Sequence, residues 1–410
     1  MDEKSKLFAF LEENRDRMVE LQSLLTAVPA ISPDSGGDGE WKKGTALFDW
    51  LKKEGFTDIT FYNAPDDRVT NGKRPNIVAT VPGKKDDRTV WIMTHLDIVP
   101  PGKEEMWNSD PYTVVEKDGK LFGRGVEDNQ QGLVSSVFAA LAYLKTGLVP
   151  DYTIKLLFIA DEETGSDYGI KYLLREENLF TDNDSVLVPD GGRADGTMVE
   201  IAEKSVLWLE FTVEGKQCHA SRPDHGINAF VAGSDLVLAL HALQDHFSRQ
   251  NTLFEPPYST FSPTRKNGNV PNINTIPGED VFCLDSRIIP DIPVDDVLEE
   301  IDNRCRQIEK KWGVSVRYEV KQRVSSIATP VDAELVQSLQ KRVGEVYRVE
   351  PELVGIGGGT VGAYLRNVHI PTVVWAKLED TAHNPNEYCV IDNMVGDAKV
   401  MALLMLDQDK

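Results

Sequence analysis

The sequence predicts an α/β protein, a mostly parallel sheet flanked by helices, interrupted by a smaller inserted domain. Three observations carry this expectation. Apolar, β-branched runs alternate with helical periodicity through the first two hundred residues, the pattern of helices packed on a parallel sheet. From Ser205 to about Val324 the order changes to strand, helix, strand, strand, helix, strand. At 410 residues the chain also exceeds what one core normally serves. The expected division is therefore 1–204 with 325–410 as one domain and 205–324 as an insert.

Leu7, Phe8, Phe10, Leu11, Met18, Leu21, Leu24 and Leu25 recur at helical spacing, so one amphipathic helix is expected across the first thirty residues. The turn beginning at Pro33 ends it, and a second helix follows over Glu40 to Glu54. Asn76 to Val81 and Thr89 to Thr94 read as strands, and Tyr112 to Leu121 as a hairpin turning at Asp118-Gly119. Gly132 to Leu144 reads as a buried helix, Thr153 to Ala160 as a buried strand, Tyr168 to Arg175 as a helix, and Ser185 to Pro189 and Pro371 to Trp375 as strands. In the insert, strands are expected at Val206 to Val213, Tyr258 to Lys266, Val281 to Ile289 and Val314 to Val320. Helices are expected at Asn228 to His246 and Val294 to Trp312.

A formal net charge of −22 argues against nucleic acid and anionic membrane as partners, since both reward clustered Lys and Arg. No apolar run is long enough to cross a bilayer, and the first residues lack the basic, apolar, small-residue order of a signal peptide, so a cytoplasmic location is expected. Cys218, Cys283, Cys305 and Cys389 are scattered with no CxxC, which argues against both a disulfide framework and a zinc knuckle.

Chemistry-bearing residues collect where apolar runs stop. Trp91 to Val99 breaks into His95 and Asp97, two apart and so able to face the same way; a metal-bound imidazole commonly gives its other ring proton to a carboxylate. The segment Leu121-Phe-Gly-Arg-Gly-Val-Glu-Asp-Asn-Gln-Gln-Gly132 is a sharp acidic turn ahead of an apolar helix, where Asp128 could meet a cation or cap the helix. Asp161, Glu162 and Glu163 directly follow an apolar strand; either they complement a helix dipole, or one binds metal while its neighbour reaches bound water. Asp190 and His383 complete a set of two imidazoles and three carboxylates, the mixed ligands that two zinc-like ions share when one carboxylate bridges them.

The segments THLDIVPPG, GRGVED, DEETGS, VPDGG and TAHNPNE, in this order, resemble the dinuclear-zinc amidohydrolase and metallopeptidase family of aminoacylase, acetylornithine deacetylase, succinyl-diaminopimelate desuccinylase and cytosolic dipeptidases. The resemblance implies a zinc-exopeptidase-like catalytic domain with a lid and dimerisation insert. It implies two divalent ions per chain, zinc favoured and cobalt or manganese possible. Asp128 would bridge them, His95 and Asp190 would hold one, and Glu163 and His383 the other. Glu162 would be the general base and Asp97 the partner of His95. In the insert, the loop Gly215-Lys-Gln-Cys-His-Ala-Ser-Arg-Pro223 resembles the family's lid-histidine loop, which implies an oxyanion donor in His219 that acts across a homodimer. Asn274 and Arg287 resemble lid residues that touch substrate. The Gly-rich turn with Gly358, Gly359 and Thr360 could offer N–H groups to a substrate carboxylate. That turn lacks the Ser-Asp-Gly-Arg run that follows it in the desuccinylases, which weakens the case for a strict succinyl preference. The implied activity is hydrolysis of N-acyl amino acids or short peptides, with a dedicated desuccinylase or deacetylase as the narrower alternative. A non-catalytic metal-binding scaffold is the rival of another class, and it has no use for Glu162.

Overall fold

The structure is a computed structural model describing residues 1–406, and the chain divides into two compact units. The first comprises Met1–Ile201, Thr329–Leu353 and the chain from Tyr364 onward; the second comprises Ala202–Ala328 and Val354–Ala363.

The first unit is built on an eight-stranded sheet in the order Asp58–Pro65, Lys73–Val81, Tyr152–Ile159, Lys85–His95, Ser185–Gly192, Thr372–Ala376, Met198–Glu203 and Glu352–Ile356. The four middle strands, from Tyr152–Ile159 to Thr372–Ala376, run parallel, and antiparallel partners flank them. Continuous burial of Val90, Trp91, Ile92 and Met93 explains why this strand reads as an unbroken apolar run: parallel strands are covered on both faces. The helix Gln130–Thr146 is buried from Gln130 to Tyr143, and the Tyr143 hydroxyl donates to the Ala402 carbonyl of Ile391–Leu406 at 2.7 Å.

Several elements differ from the sequence reading, which places nothing at the helices Glu334–Tyr347 and Ile391–Leu406 or the strands Met198–Glu203 and Glu352–Ile356. The expected N-terminal helix is two, Glu3–Glu13 and Arg15–Thr26, because Asn14 turns its side-chain amide back onto the Phe10 carbonyl at 2.7 Å and ends the first. The strand Asp58–Pro65 has no counterpart in the reading; it lies at the sheet edge, half-exposed, and its alternation is confined to Ile59 and Phe61 against Asp58 and Thr60.

The second unit holds a four-stranded antiparallel sheet in the order Thr260–Lys266, Glu279–Ile288, Ser205–Glu214 and Ser315–Val324. With helices Ala229–His241 and Val294–Trp312 this is the expected βαββαβ order. Leu207, Leu209, Phe211 and Val213 alternate into its core, where Val294, Val297, Ile301, Cys305 and Ile308 meet them at helical spacing. The segment Val354–Ala363, which motif order alone leaves in the catalytic part, belongs to this unit by its contacts. Thr360 bonds Glu203, the Gly357 carbonyl accepts from Arg287, and Gly355 lies so close to Phe254 that a Cβ there would meet its ring at 2.4 Å.

Candidate metal centre

The five expected ligands of the first unit converge at the carboxyl ends of the parallel strands, where open α/β sheets collect their ligands. His95 ends Lys85–His95, Asp190 lies near the end of Ser185–Gly192, and Glu162 and Glu163 sit in the turn after Tyr152–Ile159. Asp128 precedes the helix Gln130–Thr146, and His383 adopts φ 64° in the loop after Thr372–Ala376. Helix and strand meet here because residue 132 is glycine: a Cβ on Gly132 would stand 2.5 Å from the Pro189 carbonyl, one residue from Asp190.

The two oxygens of Asp128 face different imidazoles. Oδ1 lies 3.0 Å from His95 Nε2, which is also 3.6 Å from Asp190 Oδ1. Oδ2 lies 3.0 Å from His383 Nε2, itself 3.1 Å from Glu163 Oε2. The cluster thus resolves into two triads that share one carboxylate. Glu162 stands with His95 and Asp190, its ligand-capable oxygen within 4.8 Å of theirs.

A second ring of acids holds the backbone. Asp97 accepts from Glu162 N–H at 3.1 Å and Glu163 N–H at 3.0 Å, while His95 Nδ1 lies 3.0 Å from the Asp97 carbonyl oxygen and 3.5 Å from its carboxylate. An Nδ1–H donated there leaves the Nε2 lone pair directed at the cluster. Asp97 therefore fixes both the imidazole and the turn that bears the two glutamates. Asp161, at φ 63°, does not join the cluster; its carboxylate accepts from the Thr164 hydroxyl at 2.5 Å and Tyr168 N–H at 3.1 Å and pairs with buried Arg74. Asn129 donates to Asp190 at 2.7 Å. Glu127 and Glu387 each tie the Asp128 turn to the His383 loop. The sequence reading names neither Asn129, Glu127 nor Glu387 as functional, and the only signal for them is position inside quoted motifs.

Charge shows what the cluster would accept. Burial raises the Glu162 carboxyl well above its usual range, and repulsion from Asp190 adds to this. Burial likewise raises Glu163 and Asp190. Hydrogen bonds to Asp128 and Glu163 lift His383 from 6.5 to about 10; burial opposes protonation of His95, but Asp190, Asp128 and Asp97 outweigh it. Four crowded carboxylates thus draw protons onto both imidazoles. Glu163 Oε1 is buried without a hydrogen-bond partner, an arrangement costly unless a cation meets it. Two imidazoles and the carboxylates fit a pair of divalent ions, which would displace those protons.

The remaining expected residues lie in the second unit. His219 and Asn274 share a small ribbon: His219 pairs with Thr275, and Ala220 N–H donates to the Asn274 carbonyl at 2.9 Å. His219 Nδ1 accepts from Ser221 N–H at 3.2 Å, which places the ring proton on exposed Nε2. Two expected substrate contacts are already engaged. Arg287 Nε and Nη2 donate to Asp285 at 2.8 and 3.2 Å, because residues two apart on a strand share a face. Thr360 donates its N–H at 2.9 Å and its hydroxyl at 2.5 Å to Glu203, so it does not offer the free N–H expected of it. Gly358 has no atom within 4 Å of where its Cβ would lie, and Gly359 only the Glu203 carboxylate at 3.7 Å.

Relatives point the same way. An uncharacterised metallohydrolase from Methanococcus maripaludis is 39% identical, the match covering 94% of this chain and 97% of the relative. A succinyl-diaminopimelate desuccinylase from Delftia acidovorans is 26% identical, covering 92% and 94%. Among solved structures, the aminopeptidase PepT from Bacillus cereus superposes with a TM-score of 0.77 at 17% identity, covering 97% of this chain and 99% of that one, and so shares the fold. The description of peptidase family M20/M25/M40 matches residues 91–407, and the chain belongs to that family.

Proposed function

We propose that this member of a metallopeptidase family hydrolyses the amide bond of N-acyl amino acids or short peptides with two divalent ions held per chain. The observation that carries the reading is the pair of triads sharing Asp128, with Glu162 beside them. His95 and Asp190 would hold one ion, Glu163 and His383 the other, and two imidazoles favour zinc, with cobalt or manganese accepted by the carboxylates. Such ions supply a water acidic enough to ionise near neutral pH and a polarised carbonyl. Glu162 would take a proton from the attacking water and pass it to the departing nitrogen, which is a poor leaving group until protonated.

From the second unit, His219 Nε2–H would donate to the developing oxyanion, and Asn274 would orient the substrate. In this reading the unit is a lid and dimerisation domain and the protein a homodimer. Arg287 would grip a substrate carboxylate by exchanging its bond to Asp285, with the backbone of Gly358 and Gly359 assisting. A dedicated desuccinylase is the narrower reading; the 26% identical desuccinylase supports it, and the missing polar run after the Gly-rich turn opposes it.

The test is elemental analysis of the purified chain joined to a screen of N-succinyl, N-acetyl and dipeptide substrates. Two ions per chain and turnover of at least one class are expected. A chain that carries both ions yet cleaves none of the three overturns the proposal.

A further inference from the structure

The loop that carries Asp128 and the loop that carries His383 exchange carboxylates. Glu387, fully buried, accepts from Gly125 N–H at 3.0 Å, Glu127 N–H at 2.9 Å, Asp128 N–H at 3.1 Å and Arg124 Nη1 at 2.6 Å. In return Glu127, 2% exposed, accepts from the Glu379 and Thr381 N–H groups and from the Thr381 hydroxyl at 2.6 Å. Arg124 closes the circuit by donating Nη2 to the His383 carbonyl at 3.3 Å. Each loop therefore holds peptide N–H groups of the other with a buried carboxyl group, and the Arg124–Glu387 pair adds a charge-assisted bond, stronger than a neutral one.

We propose that Glu127 and Glu387 form a reciprocal clamp that sets the distance between the shared carboxylate of Asp128 and the His383 imidazole, and so sets the affinity of one of the two metal subsites. The inference rests on the reading of the centre as a two-ion site. Both glutamates are positioning residues that touch no reacting atom. Their effects differ in reach. Glu127 holds Glu379 and Thr381, which lie on the approach to His383, whereas the His95–Asp190 triad makes none of these bonds. Glu387 holds the peptide of Asp128 itself, on which both subsites depend.

Equilibrium dialysis of the chelated full-length chain against zinc, with elemental analysis, tests this. For Glu127→Gln, one of the two ions should bind about 10–100-fold more weakly, the usual cost of removing a group that orients a ligand, while the other keeps its parental affinity. For Glu387→Gln, both should weaken. Thr381→Val removes the hydroxyl that bonds Glu127 and the Tyr388 backbone and leaves the Thr381 N–H bond to Glu127, so it keeps the test decisive if the glutamine variants fail to fold. It should weaken the same single ion as Glu127→Gln, by a smaller factor, in a metal-free chain that still melts cooperatively. The double variant Glu127→Gln, Glu387→Gln should be no worse than the worse single one, because either loss opens the clamp. A parent chain that binds two ions, with folded variants binding them at parental affinity or losing both equally on Glu127→Gln and Thr381→Val, overturns the clamp alone. A parent that binds no pair of ions overturns the reading of the centre as well.

Discussion

Replacing Glu162 by Gln separates proton transfer from coordination within one turn of backbone. The substitution keeps shape and the Glu162 N–H bond to Asp97, so the turn should hold. Removing a general base costs about 10²–10⁴ in rate, which is roughly 2.7–5.4 kcal/mol of transition-state stabilisation. Stability should move the other way. Burial and then repulsion from Asp190 raise the folded-state pKa of Glu162 above 4.5, so its ionisation opposes folding at any pH above that value. A neutral amide removes this opposition, and the chelated variant should melt no lower than the chelated parent at pH 7.5. Glu163→Gln is the control: its Oε2 lies 3.1 Å from His383 Nε2, and its loss should cost bound metal as well as turnover. The assay is kcat on the best substrate found, with metal content and melting curves on the same preparations. Turnover within tenfold of the parent would show that Glu162 is not the base; metal loss equal to that of Glu163→Gln would make it a ligand.

Other consequences are open to measurement. Asp128→Ala removes the one carboxylate common to both triads, so elemental analysis should find both ions weakened where Asp190→Ala weakens one; two tightly held ions in Asp128→Ala would refute the bridging role. His383, lifted from 6.5 to about 10 by Asp128 and Glu163, contributes stability present below pH 6.5 and lost as the pH climbs toward 10. The raised carboxyls act with the same sign from pH 4.5 upward, so the chelated chain should lose melting temperature steadily with alkalinity, and calorimetry in buffers of different ionisation enthalpy should show proton release on zinc binding. A melting temperature flat from pH 6 to 9 would contradict this. Gly132→Ala pushes a methyl to 2.5 Å from the Pro189 carbonyl, and such overpacking costs about 1–3 kcal/mol; an unchanged melting curve would mean that helix and strand are less tightly set. If His219 acts on a partner's site, mixing His219→Ala with Glu162→Gln should restore one working site per mixed dimer; verified heterodimers without activity would exclude that role.

How much of this was legible beforehand follows from where each signal resides. Strands buried on both faces betray themselves by composition, and a His or acid that ends such a run must be at the sheet's carboxyl edge, which is why His95, Glu163 and Asp190 could be named. The insert was legible because one-sided burial imposes period two on Ser205–Glu214 and helical spacing on Val294–Trp312. The edge strand Asp58–Pro65 shows period two only over Asp58 to Phe61, too short a run to announce a strand, and the break at Asn14 depends on one side-chain bond inside an otherwise continuous periodicity. The engagement of Arg287 by Asp285 and of Thr360 by Glu203 depends on rotamers and on a turn brought from 157 residues away, which spacing does not encode.

The acids illustrate the limit most sharply. In sequence Asp97, Glu127, Asp128, Asp161, Glu162, Glu163, Asp190 and Glu387 are alike, carboxylates in polar turns beside apolar runs. In the fold they sort by what faces their oxygens. Asp97, Glu127, Asp161 and Glu387 accept peptide N–H groups, which satisfies their lone pairs with the protein's own donors. Asp128, Glu162, Glu163 and Asp190 instead face imidazoles and one another, an arrangement unfavourable for four crowded, half-buried negative charges unless something positive joins them. The first group stiffens the loops so that the second cannot spread apart to relieve its repulsion. On the proposed two-ion reading, a site that cannot relax its own charge is already assembled for cations, and that rigidity would let backbone-holding acids govern metal affinity.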